Sequence, residues 1–209
     1  MDRHFFFFTK KINLAIGLLV SGALLCIQTP EASADTLKNI LSVYDEEVNI
    51  STHYMAYAHR ADEEGYHGVA ALFRAVVRAN GVNSHSFVKL IKAMGGDPKL
   101  VIGGFPVDST RQNLDTAARV EQVEWQKMYS QFVKEAKDEN IPAPIQTLTY
   151  AKTAENQHAA LFHRMLDSPG LWKQKRSFFV CRFCGYTAMK RPDRQCPSCH
   201  EVNSFDEIG

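Results

Sequence analysis

Two groups of residues in this chain have the types and spacing to hold metal ions. Cys181-x-x-Cys184 and Cys196-x-x-Cys199 are separated by 11 residues. Each pair can form a knuckle that presents two thiolates, and two knuckles together make a tetrahedral four-thiolate set. Zinc and iron both accept that geometry, so the spacing points to a metal module and leaves the metal open. The second group lies upstream, where Glu47, Glu121, Glu124, Glu155 and His158 fall on otherwise apolar helical stripes. Burying a carboxylate is costly unless something positive compensates it, and a buried cation would compensate all of them together.

Four helical stretches must position these residues, each read from apolar residues recurring at three and four positions. The first carries Leu37, Ile40, Leu41, Tyr44, Val48, Tyr54 and Ala58 and ends near Gly65. The second carries Val69, Leu72, Phe73, Val76, Val77, Phe87, Leu90, Ile91 and Met94 and ends at Gly95-Gly96. A Gly/Pro-containing connection, GGDPKLVIGGFP, then leads to a predicted N-cap at Ser109 or Thr110. The third stretch carries Leu114, Ala118, Trp125, Met128 and Phe132 up to ENIPAP; the fourth carries Ile145, Leu148, Ala151, Phe162 and Met165 up to Ser168-Pro169-Gly170. Two hairpins joined by one long crossover give the connectivity of a ferritin-like four-helix bundle. From Phe178 onward the chain turns to short, turn-rich pieces around the paired cysteines. The expected fold is therefore mainly α, with a bundle at 35–170 and a small four-cysteine metal domain at 171–209.

The two hairpins read as copies of one unit. Glu47 precedes Glu121 by 74 residues, while Asn80 precedes Glu155 and Asn83 precedes His158 by 75 each. A di-iron bundle takes one Glu from each of two helices and a Glu-x-x-His from each of the other two, because residues at i and i+3 share a face. Asn80 and Asn83 stand where the first copy would need its Glu and His. Neutral amides are weak ligands for iron and bring no charge to offset a second cation. His85 does not repair the motif by a shift of register, since Val82 stands where a Glu would be needed. Gly81 within a helix costs about 1 kcal/mol relative to Ala and predicts local distortion there. His53, His59, His67, His85 and His163 lack a companion ligand on the stripes and read as surface or rim residues; Trp125 reads as packing.

The motifs TLKNIL, EEGYHGVAALFR, VEQVEW and ENQH, with FVCRFCGY and CPSC near the end, resemble the rubrerythrin family over Thr36 to Ile208. The resemblance implies a ferritin-like di-iron bundle followed by a rubredoxin-like iron site. It implies that Glu47, Glu121, Glu124, Glu155 and His158 are ligands, Glu124 being the extra carboxylate characteristic of the family. Tyr54 and Tyr129 correspond to tyrosines beside the metal centre, where they are candidate catalytic residues. It further implies iron at Cys181, Cys184, Cys196 and Cys199, a homodimer, an electron donor, and peroxidase-type oxidoreductase activity toward hydrogen peroxide or oxygen. Two departures stand against the full activity: the amides at 80 and 83, which leave one or two ions open for the bundle, and a slightly short loop between the knuckles. The alternatives are an electron carrier or metal-binding protein with a vestigial di-iron site, and a zinc-ribbon structural module.

Arg3, Lys10 and Lys11 precede an apolar run, Ile12 to Ile27, that ends in Ala32-Ser33-Ala34. This reads as a secretory signal peptide over 1–34, cleaved near Ala34, and predicts an exported, periplasmic protein. Cys26 falls inside the leader, with Leu25 where a lipoprotein would want a small residue. Removing the leader takes away three Lys/Arg and two Asp/Glu, so the formal charge falls from +1 to 0. No basic footprint for nucleic acid remains.

Overall fold

The computed structural model describes residues 34–209, so the leader reading of residues 1–33 lies outside the described residues. Helices α1 (Ala34–Glu63) and α2 (His67–Ala93) form the first hairpin. Gly65 turns the chain between them at φ 75°, in the left-handed region where a glycine meets no steric penalty. Tyr66 N–H then reaches back to Ala61 O at 2.8 Å and closes the α1 end. The crossover from Gly95 to Ser109 runs along α1. Asn49 donates to Val101 O at 3.0 Å and accepts from Gly103 N–H at 3.0 Å.

The second hairpin opens with Ser109, whose backbone N–H donates to the Gln112 side chain at 3.3 Å, as the spacing predicts for an N-cap. Helix α3 (Thr110–Val123) continues through one π-helical turn (Glu124–Met128) into α4 (Tyr129–Asp138) as a single rod, and α5 (Pro142–Asp167) returns beside it. The π turn changes which residues face inward. From Glu121, an α-helical count would bury Trp125, Met128 and Phe132, the residues read from the sequence as the stripe. Glu124 is buried where the count places it, but the one extra residue in the wider turn then buries Tyr129, Val133 and Ala136 and leaves Trp125, Met128 and Phe132 half-buried.

A second difference lies in α2. The helix passes unbroken through Gly81, whose side faces solvent, so a substituent there would touch nothing. The predicted distortion is absent because the glycine is on the outer face and no packing depends on it.

The core is divided in two by a polar layer. Tyr54, Phe73, Ala79, Ala118 and Phe162 belong to one apolar cluster; Ile40, Val43, Phe87, Tyr129, Leu148 and Ala151 belong to the other. On every helix the change from one cluster to the other falls at the predicted site positions: 47 on α1, 80 and 83 on α2, 121 and 124 on the third rod, 155 and 158 on α5. Thus the bundle holds one buried polar layer at mid-height.

Strands β1 (Phe178–Cys181), β2 (Thr187–Ala188) and β3 (Phe205–Ile208) make an antiparallel sheet in the order β2-β1-β3, with Val180 opposite Thr187 and Cys181 opposite Phe205. This small module is bound to the bundle through apolar and polar contacts. Trp172, Phe178 and Val180 enter the Tyr54–Phe162 cluster. Arg78 on α2 donates through Nε and an Nη to Asp206 on β3, at 3.1 and 2.8 Å. Among the described residues no helix is long and apolar enough to cross a membrane.

Candidate metal centres

The bundle centre is built where four helices each turn two or three polar side chains inward. Glu47, Asn80, Asn83, Glu121, Glu124, Glu155, His158, Tyr54 and Tyr129 are all buried, at 8% exposure or less. Ligand atoms of Glu121, Glu155 and His158 lie within 4.8 Å of one another. His158 Nδ1 stands 3.2 Å from Glu155 Oε2 and 3.4 Å from Glu121 Oε2. Its other ring nitrogen, Nε2, lies 3.1 Å from Thr187 Oγ1 on β2.

Glu47 is held differently. Its Oε1 accepts from Tyr129 Oη at 2.7 Å and from Asn83 Nδ2 at 3.3 Å. Asn83, which stands at a position matching His158 in the other hairpin, therefore serves as a donor to a carboxylate. Tyr54 is wedged between Phe73 and Phe162, with ring centroids 5.4 and 5.5 Å away, and its hydroxyl has no partner.

Burial pushes the Glu47 carboxyl up to about 8, against the hydrogen bonds from Tyr129 and Asn83. Burial, with the Glu121 and Glu47 charges, pushes Glu155 and Glu124 well above the usual carboxylate range. Burial acts on Glu121 in the same direction, but the hydrogen bond from Glu155 heads the opposing contacts that leave Glu121 below its ordinary value. Burial and the carboxylates also hold Tyr54 and Tyr129 firmly protonated.

Unsatisfied atoms show what the centre lacks. Among the described residues nine buried side-chain polar atoms have no hydrogen-bond partner, and seven belong to this layer: Glu47 Oε2, Tyr54 Oη, Asn80 Oδ1, both Glu121 oxygens, Glu124 Oε1 and Glu155 Oε1. Five of the seven are carboxyl oxygens gathered in one buried layer with no hydrogen-bond partner, which native interiors avoid. A divalent cation between Glu121, Glu155 and His158 satisfies that need with two oxygens and an imidazole nitrogen, a donor set suited to iron or zinc. The remaining atoms do not make a comparable second position. Glu47 Oε1 is already taken by two donors, which leaves Glu47 Oε2, Glu124 Oε1, the second oxygens of Glu121 and Glu155 and the neutral Asn80 Oδ1, with no second imidazole among them.

The other sequence-predicted histidines lie away from this layer. His53 stacks on Phe105 at 3.7 Å, His59 and His67 pair with Glu63 and Asp62 at the surface, His163 meets Gln122, and His85 is exposed.

In the small module the four cysteine sulfurs lie within 4.8 Å of one another, Cys181 to Cys199 at 3.6 Å and Cys184 to Cys196 at 3.5 Å. Metal–sulfur bonds of about 2.3 Å in a tetrahedron place sulfurs about 3.8 Å apart, so the four thiols already stand near the geometry an ion requires. A hydrogen bond with Cys184, then the Ser204 hydroxyl and the Phe183 and Cys184 N–H groups, bring Cys181 down to about 4. Burial pushes Cys199 up to about 12. The first knuckle rests on the bundle. Gly185 has φ 74°, and a Cβ there would come within 3.0 Å of Asn83 Oδ1 and 3.2 Å of Ala79 O. Neither Thr187 nor Gly185 carries a spacing signal; only the docking of the knuckle on α2 and α5 reveals them.

A ferritin-like bundle with a buried carboxylate–histidine layer, bearing a four-cysteine module, is the class these features define. The family model for rubrerythrin matches residues 38–166. The chain belongs to the rubrerythrin family. It is 25% identical to rubrerythrin-1 of Clostridium acetobutylicum over 182 residues, covering 83% of this chain and 93% of that protein. It is 28% identical to nigerythrin of Nitratidesulfovibrio vulgaris over 172 residues, covering 80% and 83%. The solved structure of fully reduced, all-ferrous nigerythrin superposes with a TM-score of 0.76 at 27% identity, covering 82% of this chain and 86% of that one.

Proposed function

We propose that this is an exported two-centre iron protein that reduces hydrogen peroxide, with the four-cysteine module relaying electrons to one iron held by Glu121, Glu155 and His158. The observation that carries this reading is that the two centres meet. His158 faces Glu121 and Glu155 with one ring nitrogen and reaches Thr187, three residues after Cys184, with the other. The all-ferrous state named for nigerythrin supports iron as the metal.

Peroxide reduction to two waters consumes two electrons and two protons, and two ferrous ions, one in each centre, would supply one electron each. The chain's own residues hold the site and supply one of the two protons, the second coming from solvent. Glu121 and Glu155 bring the negative charge that fixes the cation, and the apolar clusters above and below the layer exclude bulk water. Tyr54 Oη holds a proton beside Glu121 with no competing partner, and is the group placed to donate it to a bound oxidant. Tyr129 and Asn83 both donate to Glu47 Oε1 and so restrain its carboxyl. An external donor returns the electrons.

The bond from Asn83 to Glu47 favours a second reading, in which the bundle is a scaffold for an electron carrier without peroxidase activity. Counting iron and zinc per chain in anaerobically purified protein, with absorption spectra before and after peroxide, separates the readings. Two irons per chain, both oxidised by one equivalent of peroxide, support the first. One iron without reaction supports the carrier, zinc in the cysteines supports a structural module, and three irons would restore a two-iron bundle.

A further inference from the structure

We infer that Thr187 is a positioning residue that sets the tautomer of His158, so that the four-cysteine module completes the metal site of the bundle. The inference rests on the reading that His158 ligates an ion there.

A threonine hydroxyl has one hydrogen to give and two lone pairs. Thr187 gives its hydrogen to Gly185 O, 3.0 Å away within its own turn. Toward His158 Nε2, at 3.1 Å, the same oxygen must therefore accept. That places the ring hydrogen on Nε2 and leaves the Nδ1 lone pair facing Glu155 Oε2 and Glu121 Oε2. Three electron-rich atoms then converge on one point, which is the arrangement a cation requires. A ligating histidine commonly has its other N–H fixed by an oxygen acceptor, which settles tautomer and ring orientation. Here that acceptor comes from the other module.

Thr187 itself does not need this bond. Its hydroxyl is already satisfied by Gly185 O, and its place in β2 is fixed by pairing with Val180. The group that needs a partner is the wholly buried His158 Nε2. Gly185 makes the approach possible, since any side chain there would push the knuckle off Ala79 and Asn83. Docking of the knuckle and readiness of the bundle ligand are thus one event.

The test uses the full chain with cobalt(II) as probe, because its thiolate bands and its bundle bands are separately visible. Thr187→Val keeps the shape and removes the acceptor. Cobalt affinity at the bundle should fall about 10–100-fold, with the four-thiolate bands unchanged. Thr187→Ser should restore affinity to within a few-fold of wild type. Unchanged affinity in Thr187→Val, or equal loss in Thr187→Ser, overturns the inference. Nitrogen-15 spectra of the zinc-loaded wild-type protein should show hydrogen on His158 Nε2, and hydrogen on Nδ1 would overturn it whatever the variants do. Wild-type protein that binds no cobalt at the bundle would sink the proposed function and this inference together, whereas a bundle that binds cobalt with affinity indifferent to Thr187→Val would sink the inference alone.

Discussion

Asn83 donates through Nδ2 to Glu47 Oε1 at 3.3 Å, across the two helices of the first hairpin. The position that matches a ligand in the second hairpin has thus become a clamp on the opposite carboxylate. Tyr54 and Tyr129 are also 75 residues apart, yet only Tyr129 has a partner, the same Glu47 oxygen. The two halves have kept their frame and divided their tasks.

Replacing Asn80→Glu together with Asn83→His should restore the missing charge and imidazole. Bundle iron should rise from one to two per chain, read by metal analysis after anaerobic loading. The metal-free double variant should be less stable than its parent, because it adds a carboxylate to a layer already short of donors. No gain in iron would show that these positions do not face a second ion.

Removal of metal should make stability depend on pH in an unusual direction. Glu47 has its carboxyl raised to about 8 by burial, and Glu155 and Glu124 are raised as well. Between the ordinary value of 4.5 and 8 the folded chain keeps a proton that the unfolded chain has released. Stability contributed this way is full below the unfolded value and is lost as pH rises, by about 1.4 kcal/mol per pH unit for each proton retained. Melting of chelator-treated protein should therefore occur at lower temperature at pH 8 than at pH 5. Loading with metal should remove most of that slope.

Tyr129→Phe deletes the shorter of the two bonds to Glu47 and leaves a buried carboxylate oxygen with Asn83 alone. A lost bond to a charged group costs about 1.5–3 kcal/mol, which urea unfolding would detect. The loss should be greater at pH 8 than at pH 5, where Glu47 is protonated and the bond is between neutral groups.

Much of the centre was legible because it breaks a pattern. Glu47, Glu121, Glu155 and His158 interrupt apolar stripes, and the paired cysteines have a spacing with few other uses. The stripe on the third helix departs from the sequence pattern beyond Glu124, because counting at 3.6 residues per turn cannot anticipate the π turn that brings Tyr129 inward and leaves Trp125 half-buried. On α1 the buried face also includes Val43, Ile50, Tyr57 and Ala61, which the stripe omitted in favour of half-buried Leu41, Tyr44 and Val48. Thr187 was invisible for a different reason. Its partner is 29 residues away on another module, and no local periodicity encodes that contact.

Oxidation of the metal-free module should give one pairing of cysteines. Cys181 lies 3.6 Å from Cys199 and Cys184 lies 3.5 Å from Cys196, while Cys181 is the thiol held most readily as thiolate. The nucleophile in disulfide formation is the thiolate. Peptide mapping after mild oxidation should find cross-knuckle bonds, 181–199 and 184–196, and prior loading with metal should prevent them. Bonds within each Cys-x-x-Cys would contradict the geometry.

Gly185→Ala joins the stability of the module to the chemistry of the bundle. Alanine at φ 74° costs about 1–2 kcal/mol in backbone strain alone. Its Cβ would also press on Asn83 Oδ1 at 3.0 Å and Ala79 O at 3.2 Å, neither of which has room to withdraw without disturbing α2. The strain alone should lower the melting temperature by about 2–8 °C. The knuckle can relieve the pressure only by lifting from the bundle, which draws Thr187 away from His158. Gly185→Ala should then lose bundle metal affinity in the same proportion as Thr187→Val, although residue 185 touches no bundle ligand. Loss of stability with unchanged bundle affinity would mean that the module docks on the bundle without governing its metal.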